Sequence, residues 1–231
     1  MIKKLFFLLF SGTLLFSEEK IYFLHIPKTG GVSVTALLRS HYTPEQKRGA
    51  FALLRSKHVY YHRVKNRYKG YKFITFLRHP IARVLSEHRF CLQTFAPHIL
   101  KSHFLPPDGD PIETASNVAC KILSGLDPED RTISIEQHLE SAKKTLAEDI
   151  FFLGITEKMD ESMEILYKWM GWQLPEKIPF LNMTDHSKEF YSPEVVDGIA
   201  KRNWADIELY QYALKLFEDQ KTDIFYQVAG I

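Results

Sequence analysis

The run Ile21-Tyr22-Phe23-Leu24-His25-Ile26, leading straight into Pro27-Lys28-Thr29-Gly30-Gly31-Val32-Ser33, constrains this 231-residue chain more than any other feature. Apolar side chains from Ile21 to Ile26 spell a buried strand, and Val34-Thr35-Ala36-Leu37-Leu38-Arg39 has the spacing of an amphipathic helix. A strand, a glycine turn and a helix in that order form a cradle for phosphate. Paired glycines let backbone N–H groups converge, and a helix N-terminus adds about half a positive charge. Lys28 brings a full charge, and Thr29 and Ser33 bring hydroxyls. The turn is not a Walker A loop, in which the lysine follows the second glycine; here Lys28 precedes both. The plainer alternative is a glycine turn with a solvated lysine.

A second strand–helix unit lies about fifty residues further on. Tyr71 to Leu77 is apolar enough for a central strand and ends in Arg78-His79-Pro80. Proline cannot continue a ladder but suits the first turn of a helix. Ile81 to Phe90 then has helical spacing. Arg78 falls at the carboxyl end of its strand, where open α/β sheets place ligands. Its planar fork meets phosphate oxygens two at a time. Ser86 lies two helical turns further on. Alone, the pair reads equally as a surface charge and a helical serine.

Taken together, Pro27-Lys28-Thr29-Gly30-Gly31-x-Ser33 and Arg78-x-Pro80-x-x-Arg83-x-x-Ser86 resemble the two phosphate motifs of sulfotransferases. Those enzymes take 3′-phosphoadenosine 5′-phosphosulfate (PAPS) as donor. The resemblance implies an α/β, P-loop-like sulfotransferase fold with a mainly parallel central sheet flanked by helices. It implies that Lys28, Thr29, Gly30, Gly31, Val32 and Ser33 hold the 5′-phosphosulfate and that Arg78 and Ser86 hold the 3′-phosphate, with Arg83 a weaker helper. The family usually has Asp between the Arg and the Pro; here it is His79. In the carbohydrate (heparan sulfate 2-O-sulfotransferase-like) branch a Gly-His pair precedes the second strand, and His58 matches that His in order and spacing, with Lys57 in place of the Gly. The resemblance thus implies His58 as general base for a saccharide hydroxyl, with Lys28 stabilising the leaving phosphate. Lys188, in a polar segment where relatives cover the nucleotide, is a further donor-binding candidate. The reaction needs no metal in the family. His58 and His62 would make a zinc pair only on a helix, and no third ligand is evident. A structural His58 is the alternative to a catalytic one. Two other functions stay open: a relative that binds nucleotide or glycan without turnover, and a magnesium-dependent nucleotide kinase.

Elsewhere the pattern predicts helices over 135–146, 159–169 and 207–217, and a third strand over 149–154. Residues 91–132 read as loop and acceptor-facing surface. Within them, Asn117 to Gly125 reads as either an acceptor-site wall or a core helix with a glycine cap. Glu157, beside the start of a helix, reads as a capping acid rather than a catalytic one. The basic run Arg63, Lys65, Arg67, Lys69 and Lys72 either attracts an anionic glycan or solvates a loop.

The length suits one α/β domain over 18–231. A net charge of +2 gives no global field for nucleic acid. Lys3-Lys4 followed by the apolar run Leu5 to Phe16 reads as a signal peptide or short anchor over 1–17. It is short against the ~20 residues of a bilayer span. On that reading the protein is exported or membrane-anchored, in a periplasm or secretory lumen; otherwise it is cytoplasmic. Cys91 and Cys120 are compatible with one disulfide or two free thiols.

Overall fold

Three apolar runs become parallel strands, and the turn at the carboxyl end of each strand contributes to one site. The computed structural model describes residues 20–41, 59–94, 116–173, 175 and 191–229. Strand β1 is Ile21–Phe23, β2 is Lys72–Leu77 and β3 is Ile150–Ile155. Their order in the sheet is β1-β2-β3, with β2 in the centre and both pairings parallel. Ile21 faces Lys72 and Phe23 faces Ile74; Phe76 faces Gly154 and Leu77 faces Ile155. The predicted run from Ile21 to Ile26 is buried throughout, but the ladder proper is its first half. Leu24 continues the pairing by donating its N–H to Ile74 O, and its own carbonyl accepts the Thr75 hydroxyl at 2.8 Å.

Parallel strands covered on both faces read as near-continuous apolar runs, and these do. Ile74, Phe76, Phe152 and Ile155 are all fully buried. Phe76 needs the bare backbone opposite it: a Cβ at Gly154 would lie 2.3 Å from its ring.

Helices α1 (Gly31–His41), α2 (Tyr61–Val64), α3 (Pro80–Thr94), α4 (Val118–Leu123), α5 (Ile135–Glu148), α6 (Met159–Met170), α7 (Pro193–Arg202) and α8 (Trp204–Ala229) surround the sheet. A short 3₁₀ turn, Thr156–Lys158, joins β3 to α6. Local chemistry sets several ends. Ser134 and Gln137 form a reciprocal capping box at α5, Ser192 and Pro193 open α7, and Gly171 closes α6 in the left-handed conformation.

The segment Asn117 to Gly125 is a core helix. Ala119, Cys120, Ile122 and Leu123 are buried, and the helix is tied to the α7–α8 junction by exchanged caps. Asp206 accepts the Ala119 and Cys120 N–H groups at 3.0 and 2.8 Å, and Asn117 Oδ1 accepts those of Ala205 and Asp206. The stretch read as loop over 91–132 therefore holds α4, and α3 runs into it as far as Thr94.

Candidate active site

Parallel strands deliver their carboxyl ends to one edge of the sheet, and here three adjacent ends converge. The glycine loop comes after β1, Arg78 and His79 after β2, and Thr156 and Glu157 after β3.

The glycine loop carries two left-handed residues, Lys28 at φ 66° and Gly30 at φ 77°. Left-handed residues alternating with others are the backbone pattern of an anion nest, in which successive N–H groups converge. For a lysine this conformation is unusual, and the loop braces it from both sides. Thr29 is fully buried, and its hydroxyl donates to Ile26 O at 2.8 Å. Arg78 Nη1 donates to Lys28 O at 3.2 Å. The Thr29 side chain is thus engaged within the turn.

Helix α1 begins at Gly31, three residues before the periodicity indicates, and Gly30 O already accepts the Val34 N–H. The two glycines are needed for different reasons. Gly30 takes a positive φ, whereas a Cβ at Gly31 would meet His25 Nε2 at 2.0 Å. His25 is 9% exposed and lies beneath the first turn of the helix.

The second motif lies against the first. Burial lowers the pKa of Arg78; the Glu157 carboxylate opposes that effect, and the positive charges of Arg89 and Arg83 add to it. Arg83 is buried and pairs with Glu87 one turn further along α3. Ser86 is buried on the same helix. Lys28, Arg78, Arg83 and Arg89 outweigh the carboxylates of Glu87 and Glu157 and leave this edge of the sheet positive.

Phe90 carries no sequence signal, and Glu157 serves a partner that its place in the sequence does not indicate. Phe90 is 48% exposed, with Lys28 Nζ 4.1 Å from its ring centroid, a cation–π distance. It sits four residues beyond Ser86, hence on the same face of α3. Glu157 does cap a helix, but not the one it opens. Its Oε1 accepts the His79 N–H at 2.9 Å, and its Oε2 accepts the Tyr210 hydroxyl at 3.1 Å.

Among the sequence-predicted donor residues, Lys28, Thr29, Gly30, Gly31, Val32 and Ser33 form the loop and first turn of α1, with Val32 exposed. Arg78 and Ser86 stand on the adjoining element. His58 and Lys188 lie outside the described residues, as do residues 1–17 and the side chain of Cys91. Tyr61, just after His58, packs on Phe73 at the other end of β2. The basic run belongs to that end as well. Lys72 opens β2 with its Nζ over Phe151, Lys65 reaches Gly125 O, and Arg63 pairs with Glu129. Among the described residues no group of His, Cys, Asp and Glu is placed to hold a metal, and no helix is long and apolar enough to cross a membrane.

The model of the sulfotransferase family matches residues 11–213, so the chain belongs to that family. Its chemistry is transfer of a sulfuryl group to a hydroxyl-bearing acceptor. No curated protein matches the chain significantly.

Proposed function

We propose that this sulfotransferase takes PAPS as its donor and a saccharide hydroxyl as its acceptor. The observation that supports the reading is the hydrogen bond from Arg78 to Lys28 O, which joins two motifs fifty residues apart. The loop from Lys28 to Ser33 would hold the 5′-phosphosulfate through its nest of N–H groups, the α1 N-terminus and the Lys28 ammonium. Arg78 and Ser86 would hold the 3′-phosphate, and Lys188 would approach the nucleotide from its own segment.

In the reaction the acceptor oxygen bonds to sulfur as the bond between sulfur and the donor's phosphate oxygen breaks. The hydroxyl proton must leave, and His58 takes it; imidazole titrates close enough to neutrality for the task. The leaving phosphate oxygen gains charge, which the Lys28 ammonium offsets. The protein's part is positioning and electrostatics. His58 as base and the saccharide acceptor rest on the branch resemblance, and an exposed aromatic face at Phe90 suits a sugar ring approaching Lys28. On the same reading, residues 1–17 export or anchor a catalytic domain spanning 18–231.

The test is isothermal titration with 3′-phosphoadenosine 5′-phosphate (PAP), without metal, for wild type and Arg78→Ala. Loss of a charge-assisted contact predicts about ten- to a hundredfold weaker binding by the variant. A folded wild type that does not bind PAP would overturn the donor assignment. If it does bind, turnover with PAPS across a saccharide panel tests the acceptor, and His58→Ala should abolish that turnover while leaving PAP affinity intact.

A further inference from the structure

We propose that Glu157 is a positioning residue for the donor's 3′-phosphate arm, its carboxylate arriving from the end of β3 to secure the Arg78–His79 peptide that bears that arm. The inference rests on the PAPS reading and adds to it a residue that neither motif contains.

The geometry begins with a helix start that cannot cap itself. His79 O accepts the Arg83 N–H at 2.9 Å, which makes His79 the residue flanking the first turn of α3. In a capping box, an acid three residues into the helix reaches back to the N–H of that flanking residue. Here that place is taken by Ala82, and Pro80, the first helical residue, has no N–H. The His79 ring is turned edge-on to Tyr210, with centroids 5.5 Å apart. Glu157 fills the role from another strand by accepting the His79 N–H.

That N–H belongs to the peptide linking Arg78 to His79, so holding it fixes the backbone from which the Arg78 side chain projects. The carboxylate is itself held at its other oxygen by Tyr210 of α8. Burial and the Glu157 charge both raise the Tyr210 pKa, so the phenol remains a donor. The negative charge also lies close enough to Arg78 to oppose the repulsion from Arg83 and Arg89. Arg78 is therefore fixed at two points, through its guanidinium on Lys28 O and through its peptide on Glu157.

The test compares PAP with adenosine 5′-phosphate, which lacks the 3′-phosphate, on the full chain of wild type, Glu157→Gln and Glu157→Ala. Thermal midpoints are recorded alongside. Loss of one charge-assisted cap predicts that Glu157→Ala weakens PAP about tenfold and adenosine 5′-phosphate clearly less. Glu157→Gln, which keeps an acceptor oxygen but no charge, should fall between, and it serves as the folded variant if alanine destabilises the chain. Equal weakening of both ligands would overturn the inference while leaving the donor reading standing. A wild type that does not prefer PAP over adenosine 5′-phosphate would overturn both.

Discussion

Substituting Gly31 by alanine should damage the protein through one side chain, and removing that side chain should undo the damage. An ideal Cβ at Gly31 would lie 2.0 Å from His25 Nε2, 2.4 Å from Cδ2 and 2.5 Å from Cε1. All three contacts are on one ring, so the whole imidazole must move. It is buried, with Phe23 5.3 Å away between ring centroids. Overpacking a closed site costs about 1–3 kcal/mol, and a rigid ring argues for the upper half of that range. In a chain of this size that is a loss of roughly 4–12 °C in Tm. Gly30→Ala should cost about 1–2 kcal/mol for a different reason, its left-handed φ of 77°. The side-chain atom it meets, Met159 Cε at 2.6 Å, is the end of a flexible chain that can swing aside. A double-mutant cycle with His25→Ala separates the two. In that background Gly31→Ala should become neutral or slightly stabilising, because alanine is the better helix residue by about 0.5–1 kcal/mol. Gly30→Ala should keep its full cost. Urea denaturation monitored by circular dichroism gives the four free energies of each cycle. A Gly31→Ala penalty undiminished by His25→Ala would refute the steric argument.

Three more predictions concern other parts of the molecule. Phe90→Leu keeps apolar bulk but removes the π face beneath Lys28, and a loss of about 0.5–1 kcal/mol at this exposed site predicts a two- to fivefold fall in kcat; an unchanged kcat in steady-state assays would remove Phe90 from the account. Cys120 is buried, and burial, then the Asp206 carboxylate, raises its thiol pKa, so it should resist iodoacetamide at pH 8 in the native protein and react on unfolding. Labelling of Cys120 in the folded state, read by mass spectrometry, would contradict this. His138 is buried with Nδ1 2.8 Å from Ser124 Oγ, and its pKa is lowered by burial and then by Lys121. The folded state therefore favours neutral imidazole: stability should be full above the ordinary value near 6.5 and should decline as pH falls from there toward the lower folded value. His41, lowered by burial, contributes with the same sign, so His138→Gln should flatten the decline without abolishing it.

The strands were legible because burial on both faces leaves unbroken apolar runs; all three predicted strands agree with those observed to within a few residues. The loop was legible because glycine pairs and a preceding lysine are local facts. What escaped was contact between distant segments. Glu157 and His79 are 78 residues apart, and Asn117 and Asp206 are 89 apart. Neither pair leaves a periodic mark, because one side chain meeting one amide imposes no pattern on its neighbours. Phe90 escaped for a related reason: in sequence it is one more apolar residue of a helix, and only the packing shows that it is left exposed beside Lys28. The start of α1 was placed late because apolar periodicity cannot register helical glycine.

The hydrogen bond between the motifs also bears on how the site fails. Holding Lys28 left-handed costs about 1–2 kcal/mol, and each of its two braces, Thr29 to Ile26 O and Arg78 to Lys28 O, returns about 0.5–1.5 kcal/mol. At the middle of these ranges one brace, about 1 kcal/mol, falls short of the ~1.5 kcal/mol strain, and the two together, about 2 kcal/mol, exceed it. On the proposed donor reading, removing Arg78 removes a 3′-phosphate contact and also leaves the glycine loop near balance between its curled form and a relaxed one. A nest populated part of the time binds its anion more weakly in proportion to that fraction. Arg78→Ala should thus weaken adenosine 5′-phosphate, which never touches the 3′ site, as well as PAP. In Glu157 variants the guanidinium remains to hold Lys28 O, so the loss should fall mainly on PAP. The contrast between these two ligand profiles separates a residue that serves both phosphate sites from one that serves a single arm.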